Sequence, residues 1–285
     1  MDAAQRLWRE VDLLDSVGGL RSISDAIAIP FRVFRDSDTA VARLLQYGTE
    51  QVTAFLRGGF NQFEGGLPTI EGLTDFAERF RRVSEVAEKL DANADVANAL
   101  VQYPDALKPI LEAGSNFLDR ELVALQETGL STPDVVHLLD LFEDVPLFRG
   151  TTDGFPGNPG TQELGISPAS IDPLIATIFA LEGKGITGNG IVLIATQRGL
   201  GNPVVDTGNF RRVLEREVQV GMLPLEFQNK ALHSISVDRA RQILSEMGVA
   251  ELPNSIGTGD TSEYLRNTPR MTPEQIYEFV RRAIE

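Results

Sequence analysis

A chain of 285 residues and 31.2 kDa is long enough for one large domain or two ordinary ones, and 42% hydrophobic against 24% charged residues is the profile of a folded globular protein. The absence of cysteine excludes disulfides, thiolate metal sites and cysteine nucleophiles, and with only His137 and His233 a three-histidine metal site within one chain is excluded too. The formal net charge is -15, and it is uneven: residues 1–147 carry 13 basic and 25 acidic side chains, the remainder 13 and 16, so the N-terminal half should repel nucleic acid and anionic membranes.

The chain begins MDAAQRLWREVDLLD, where acids are scattered and no basic stretch precedes an apolar one, so no secretory signal is expected. Asp36 and Ser37 suit the cap of a helix that shows Val41, Leu44, Leu45, Val52, Phe55 and Leu56 on one face and stops at Gly58-Gly59. After the glycine-rich loop 58–68, Thr69 begins a helix in which Leu73, Phe76, Phe80, Val83, Ala87 and Leu90 recur in steps of three and four. Charged residues cover its other faces, so it reads as a packed helix of a bundle. Further helices are expected over 93–103, 105–127 and 132–145, with Gly129 as a stop and Thr132-Pro133 as a start.

From Phe148 to Pro168 the sequence FRGTTDGFPGNPGTQELGISP loses periodicity and reads as a linker or long surface loop. Beyond it, helices are expected at 168–182, 190–199, 207–220, 236–247 and 272–284, with a flexible connection at 249–262. Ser236 caps the fourth of these, Gly248 closes it, and Thr272-Pro273 opens the last. The expected fold is therefore mainly α: a helical array or bundle over 1–147, a Gly/Pro-rich segment at 148–168, and a smaller helical domain over 169–285. The longest apolar runs, such as Gly190 to Ala195, are too short to cross a bilayer.

Several strings bear on chemistry. Gly183-Lys184-Gly185-Ile186-Thr187-Gly188 is a literal G-x-G-x-x-G, with Asp206 at about the spacing of a ribose-binding acid. A dinucleotide site needs a strand before the glycines and a helix after them, whereas the preceding SPASIDPLIATIFALE reads as a helix, so a turn between helices is the plainer reading. Three short helices over 171–220 have the general look of a helix-turn-helix or winged-helix module, on which Arg198, Arg211, Arg212 and Arg216 would meet phosphates or base edges. Asp206, Glu215 and Glu217 lie among those arginines and oppose that role. His137, with Asp134 and Asp140, offers ligand-type groups along one helix, which a solvated acidic face explains equally well. No G-x-S-x-G elbow is present, and no acid pair stands out among 41 carboxylates.

Apolar residues in the interrupted segments AIAIPFRVF (26–34) and FNQFEGGLP (60–68) suit burial against a partner or a second copy, with Ile29, Phe31, Phe34, Phe60 and Phe63 as the contact residues. The sequence thus leads to a non-enzymatic structural or assembly protein, a component of a larger or homo-oligomeric complex of the kind that builds the head, neck or tail of a virus particle. Its expected place is the cytoplasm or such a particle. A nucleic-acid-binding protein using 171–220 is the alternative, and a nucleotide-dependent enzyme using Gly183, Gly185 and Gly188 the third reading. No catalytic residue, cofactor or metal is assigned.

Overall fold

The computed structural model describes residues 38–58, 63–64, 67–68, 70–154, 167–185, 187–201, 203–204, 214–257 and 259–285. They are mostly helical, and the chain divides into two compact units, Met1–Asp119 and Arg120–Glu285. That division falls earlier than the glycine- and proline-rich stretch at 148–168.

In the first unit, α1 (Asp38–Gly58) packs along α2 (Ile70–Asp91), and α3 (Ala94–Gln102), a 3-10 turn (Pro104–Ala106) and α4 (Leu107–Ala113) complete the cluster. Between α1 and α2 lies a minimal hairpin of β1 (Phe63–Glu64) and β2 (Leu67–Pro68). The three-and-four spacing in α2 is realised as burial of Phe80, Val83, Ala87 and Leu90, on a helix that packs against α1 and α4, whose own Leu44, Val52, Leu56, Leu107 and Ile110 are buried as well. α1 is kinked at Gly48, whose backbone is extended there. Arg79 of α2 closes the α1 C-terminus by donating to the Phe55 carbonyl at 3.1 Å while its guanidinium lies 5.1 Å from the centre of the Phe55 ring. The helix expected over 105–127 is broken, because Gly114 adopts a left-handed φ of 73° that ends α4.

The second unit corrects the expectation of a helical C-terminal domain. After α5 (Leu122–Glu127) and α6 (Thr132–Phe142), β3 (Pro146–Thr152) enters a six-stranded antiparallel sheet with β4 (Ser167–Ser170), β5 (Gly190–Thr196), β6 (Pro203–Val204), β7 (Glu217–Val220) and β8 (His233–Ser236), in the order β6-β7-β4-β3-β5-β8. The segment 190–199, expected as a helix, is the inner strand β5 followed by one turn, α8 (Gln197–Leu200). Its run GIVLIAT is too short for a stable helix, and its β-branched Ile191, Val192 and Ile194 fit the pleat between β3 and β8. Within 207–220, residues 217–220 are strand β7, and 207–213 lie outside the described residues.

Helix α7 (Pro173–Gly183) lies between the sheet and helices α10 (Val237–Glu246) and α11 (Thr261–Asn267). It is buried on nearly every side, which explains an apolar sequence without a polar face. Its backbone approaches the sheet closely because both partners are small. A Cβ on Gly150 of β3 would run into the Ala176 carbonyl oxygen, and one on Gly190 of β5 would stand 2.6 Å from the Ala180 carbonyl oxygen. On the same sheet face, Phe148 meets Phe279 of α12 (Pro273–Ile284) edge to face, ring centres 6.0 Å apart. α12 also packs on α6, where Phe142 and Tyr277 stand 5.5 Å apart.

The expected start at Thr132-Pro133 shifts by one residue. Ser131 is the cap of α6, forming a reciprocal box with Asp134. Thr272 caps α12 with Gln275 in the same way, and Ser236 caps α10. Among the described residues, no helix is long and apolar enough to cross a membrane.

Candidate functional site

The glycine string at 183–188 connects the C-terminus of α7 to β5. It is a closed turn: Gly185 N–H donates to the Gly188 carbonyl at 2.9 Å, and Asp153 accepts from the Asn189 backbone and side-chain N–H groups at 2.8 and 2.9 Å. A phosphate is drawn to the positive N-terminal end of a helix, and these glycines follow the negative end. The turn joins a helix to a strand rather than two helices, and it lacks the strand-then-helix setting that the motif requires.

Of the four arginines proposed for nucleic-acid contact, Arg211 and Arg212 lie outside the described residues, and the other two occupy unlike settings. Arg198 is exposed on α8, where its backbone N–H donates to the Asp144 carboxylate at 3.2 Å. Arg216 is buried. It sits just before β7 with a left-handed φ of 43°, and its Nη1 donates to the Met271 carbonyl at 2.9 Å and lies 3.6 Å from Asp172 Oδ2. A phosphate contact needs a guanidinium turned to solvent, and this one is turned to the interior.

Asp172, with no exposed surface, is the centre of that interior network. Oδ1 accepts from the Leu174 N–H and so caps α7, while Oδ2 accepts from Met271 N–H at 3.1 Å. Ser170 Oγ accepts from the Asp172 N–H and donates to the Glu215 carbonyl, and Arg270 donates to the Leu214 carbonyl. The network ties together the start of α7, the approach to β7 and the segment before α12. Burial pushes the Asp172 carboxyl up and Arg216 down; in each, attraction to the other opposes the shift. A carboxylate sealed from solvent has no path to a substrate, so these charges pin the fold.

His137 on α6 places Nδ1 3.4 Å from Glu274 Oε1 of α12, and Asp134 is occupied in the capping box. Among the described residues, no three histidine or acidic side chains are grouped as a metal site would require. Ile29, Phe31, Phe34 and Phe60 lie outside the described residues, and Phe63 is described only as a strand residue of β1 opposite Pro68.

Two features escaped the sequence reading. The first is a sheet edge. Among the described residues β8 ends the strand order, and His233, Ser234 and Ser236 are exposed. Leu232 continues this strand by donating its N–H to the Ile194 carbonyl at 2.8 Å, yet 61% of its surface is exposed. Just before it, at the start of α9 (Pro224–Lys230), Leu223 and Leu225 are 47% and 56% exposed. The strand itself contains no lysine, glutamate or proline of the kind that guards open edges.

The second feature is a parting of two strands. Among the described residues β3 and β4 pair at one rung, Phe148 opposite Ser170. The same register would next place Gly150 opposite Pro168, which has no N–H to donate. The Pro168 carbonyl instead accepts from Arg149 Nη1 at 2.7 Å. Around this parting lies a cavity of about 390 Å³, bounded by the two strands, by Phe179 of α7 and by Glu215 and Glu217. Arg149 is itself buried, and burial pushes it down to about 10, which leaves it charged at neutral pH.

No protein-family model, curated protein or solved structure matches this chain.

Proposed function

We propose that the protein is a structural subunit that works by assembling with other protein chains, its own copies foremost. The observation that carries this reading is the open β8 edge together with Leu223, Leu225 and Leu232, three large apolar side chains exposed within ten positions of one another. An unguarded strand edge supplies backbone donors and acceptors to a partner strand, and neighbouring leucines supply the apolar contact that gives such pairing its strength. The sequence-based expectation that Ile29, Phe31, Phe34, Phe60 and Phe63 meet a partner is kept as part of the same proposal. A place in the head, neck or tail of a virus particle is one setting for such a subunit. Binding of nucleic acid through 171–220 has less support, since Arg216 spends its charge on Asp172.

The test replaces Leu225 and Leu232 together by glutamate. Both side chains are exposed, so far-UV circular dichroism should not change, while the assembled species seen by size exclusion with light scattering should fall to monomer. Assembly that survives the double substitution would remove this edge from the interface.

A further inference from the structure

We infer that the partner at β8, in the assembly proposed above on which this rests, is a second copy of this chain held antiparallel about a two-fold axis at Ser234. Among the described residues the sheet has two unequal ends. β6 consists of Pro203 and Val204 alone, and the proline has no N–H for a further strand. β8 offers His233–Ser236, continued by Leu232, and all of these except Ile235 are exposed. A head-to-tail chain would set β8 of one copy on β6 of the next, where donors are fewest. Pairing β8 with β8 matches the two longer edges and leaves neither free, so this interface closes at two copies instead of growing into a fibre.

The edge also sets the register. In an antiparallel ladder the outward N–H and C=O groups recur at every second residue, so a two-fold partner must bring residues of the same parity opposite one another. The axis then passes through a residue, and Ser234 is the centre that overlaps the whole of Leu232 to Ser236. Leu232 comes to lie opposite Ser236, His233 opposite Ile235, and Ser234 opposite its own copy. The side chains suit that arrangement. The stretch from Leu232 to Ser236 contains no lysine, arginine or acid, and the two His233 imidazoles do not face each other, so like charges are never opposed. The paired Ser234 hydroxyls are free to share a hydrogen bond across the axis. An axis perpendicular to the sheet keeps the helix-covered faces of both copies on one side.

The chain has no cysteine, so Ser234→Cys in the full chain introduces a single thiol per copy. Across the axis the two Cα atoms would stand about 5 Å apart, within disulfide reach. Under mild oxidation, at a concentration where the wild type is assembled, Ser234→Cys should form a covalent dimer at least about tenfold faster than the same variant unfolded in urea. Ser236→Cys, which also loosens the α10 cap, should gain nothing over its unfolded rate, because its thiols would lie about 13 Å apart along the paired strands. Should Ser234→Cys misfold, hydrogen exchange on the wild type takes its place: the amides of His233–Ser236 should exchange faster on dilution to monomer. No cross-link at Ser234 above the unfolded rate, equal cross-linking at Ser236, or exchange that ignores dilution of an assembled chain would overturn the two-fold pairing and leave assembly standing. A wild type that is monomeric at every concentration would overturn both.

Discussion

In the unit Met1–Asp119 the interior is almost wholly apolar: among the described residues, Ser84 is its one buried polar side chain. In Arg120–Glu285 the interior also holds Arg149, Asp172, Thr177, Gln197 and Arg216. The first unit is held by matched helix faces, and its ion pairs, such as Arg81 with Glu78 and Glu85, lie on the surface where they contribute little. The second combines sheet pairing, backbone contact at Gly150 and Gly190, and a buried charge network whose members each satisfy another element. A core of the first kind tolerates substitution that keeps volume and apolarity, whereas a core of the second kind depends on individual atoms.

The two kinds of interior should respond differently to substitution. The largest effect belongs to Asp172→Ala, which uncaps α7 and strands Arg216 as a buried charge. It should cost about 4 kcal/mol in urea denaturation, and a loss below about 1 kcal/mol would mean that the network is not a pin. Leu107→Ala should destabilise the first unit by about 3 kcal/mol through transfer and cavity terms alone, with Leu107→Met restoring most of it. Next comes Gly150→Ala, a single added methyl that β3 and α7 can accept only by moving apart. About 2 kcal/mol is expected, and a neutral result would refute the close approach.

The smallest effect is one of pH. Arg281 and Arg282 hold the half-buried Glu278 carboxyl down to about 2 from an ordinary value of 4.5. A depressed carboxylate contributes stability that is present above its unfolded pKa and is lost as pH falls through the folded one. Glu278→Gln should therefore flatten the acid limb between about 4.5 and 2 without altering stability at pH 3 more than at pH 7. Added salt should shrink the difference, and a variant whose pH profile overlays the wild type would show that the pairing contributes nothing.

The helices were legible where local signals act alone. The seam of α2, the caps at Ser236 and Thr272, and the stops at Gly129 and Gly248 follow from side-chain chemistry within four residues of each other. β5 was not legible, since a seven-residue apolar run satisfies a buried helix and a buried strand alike, and what decides is pairing with β3, some 45 positions away. β3 itself was hidden in the glycine-rich reading of 148–168, where Gly150 serves helix packing rather than a loop. The candidate sites fared worse for the same reason. Nothing near Arg216 in the sequence announces Asp172 or Met271 as its partners, and the parting at Pro168 becomes a cavity only once β3 is known to lie beside it.

The central claim is assembly, and the most direct measurement is the mass of the purified chain by light scattering after size exclusion, over a range of concentration at low and high salt. A defined oligomer, or growth with concentration, is expected to persist at high salt because strand pairing and leucine burial are not screened. A 31.2 kDa monomer at every concentration and every salt would contradict it.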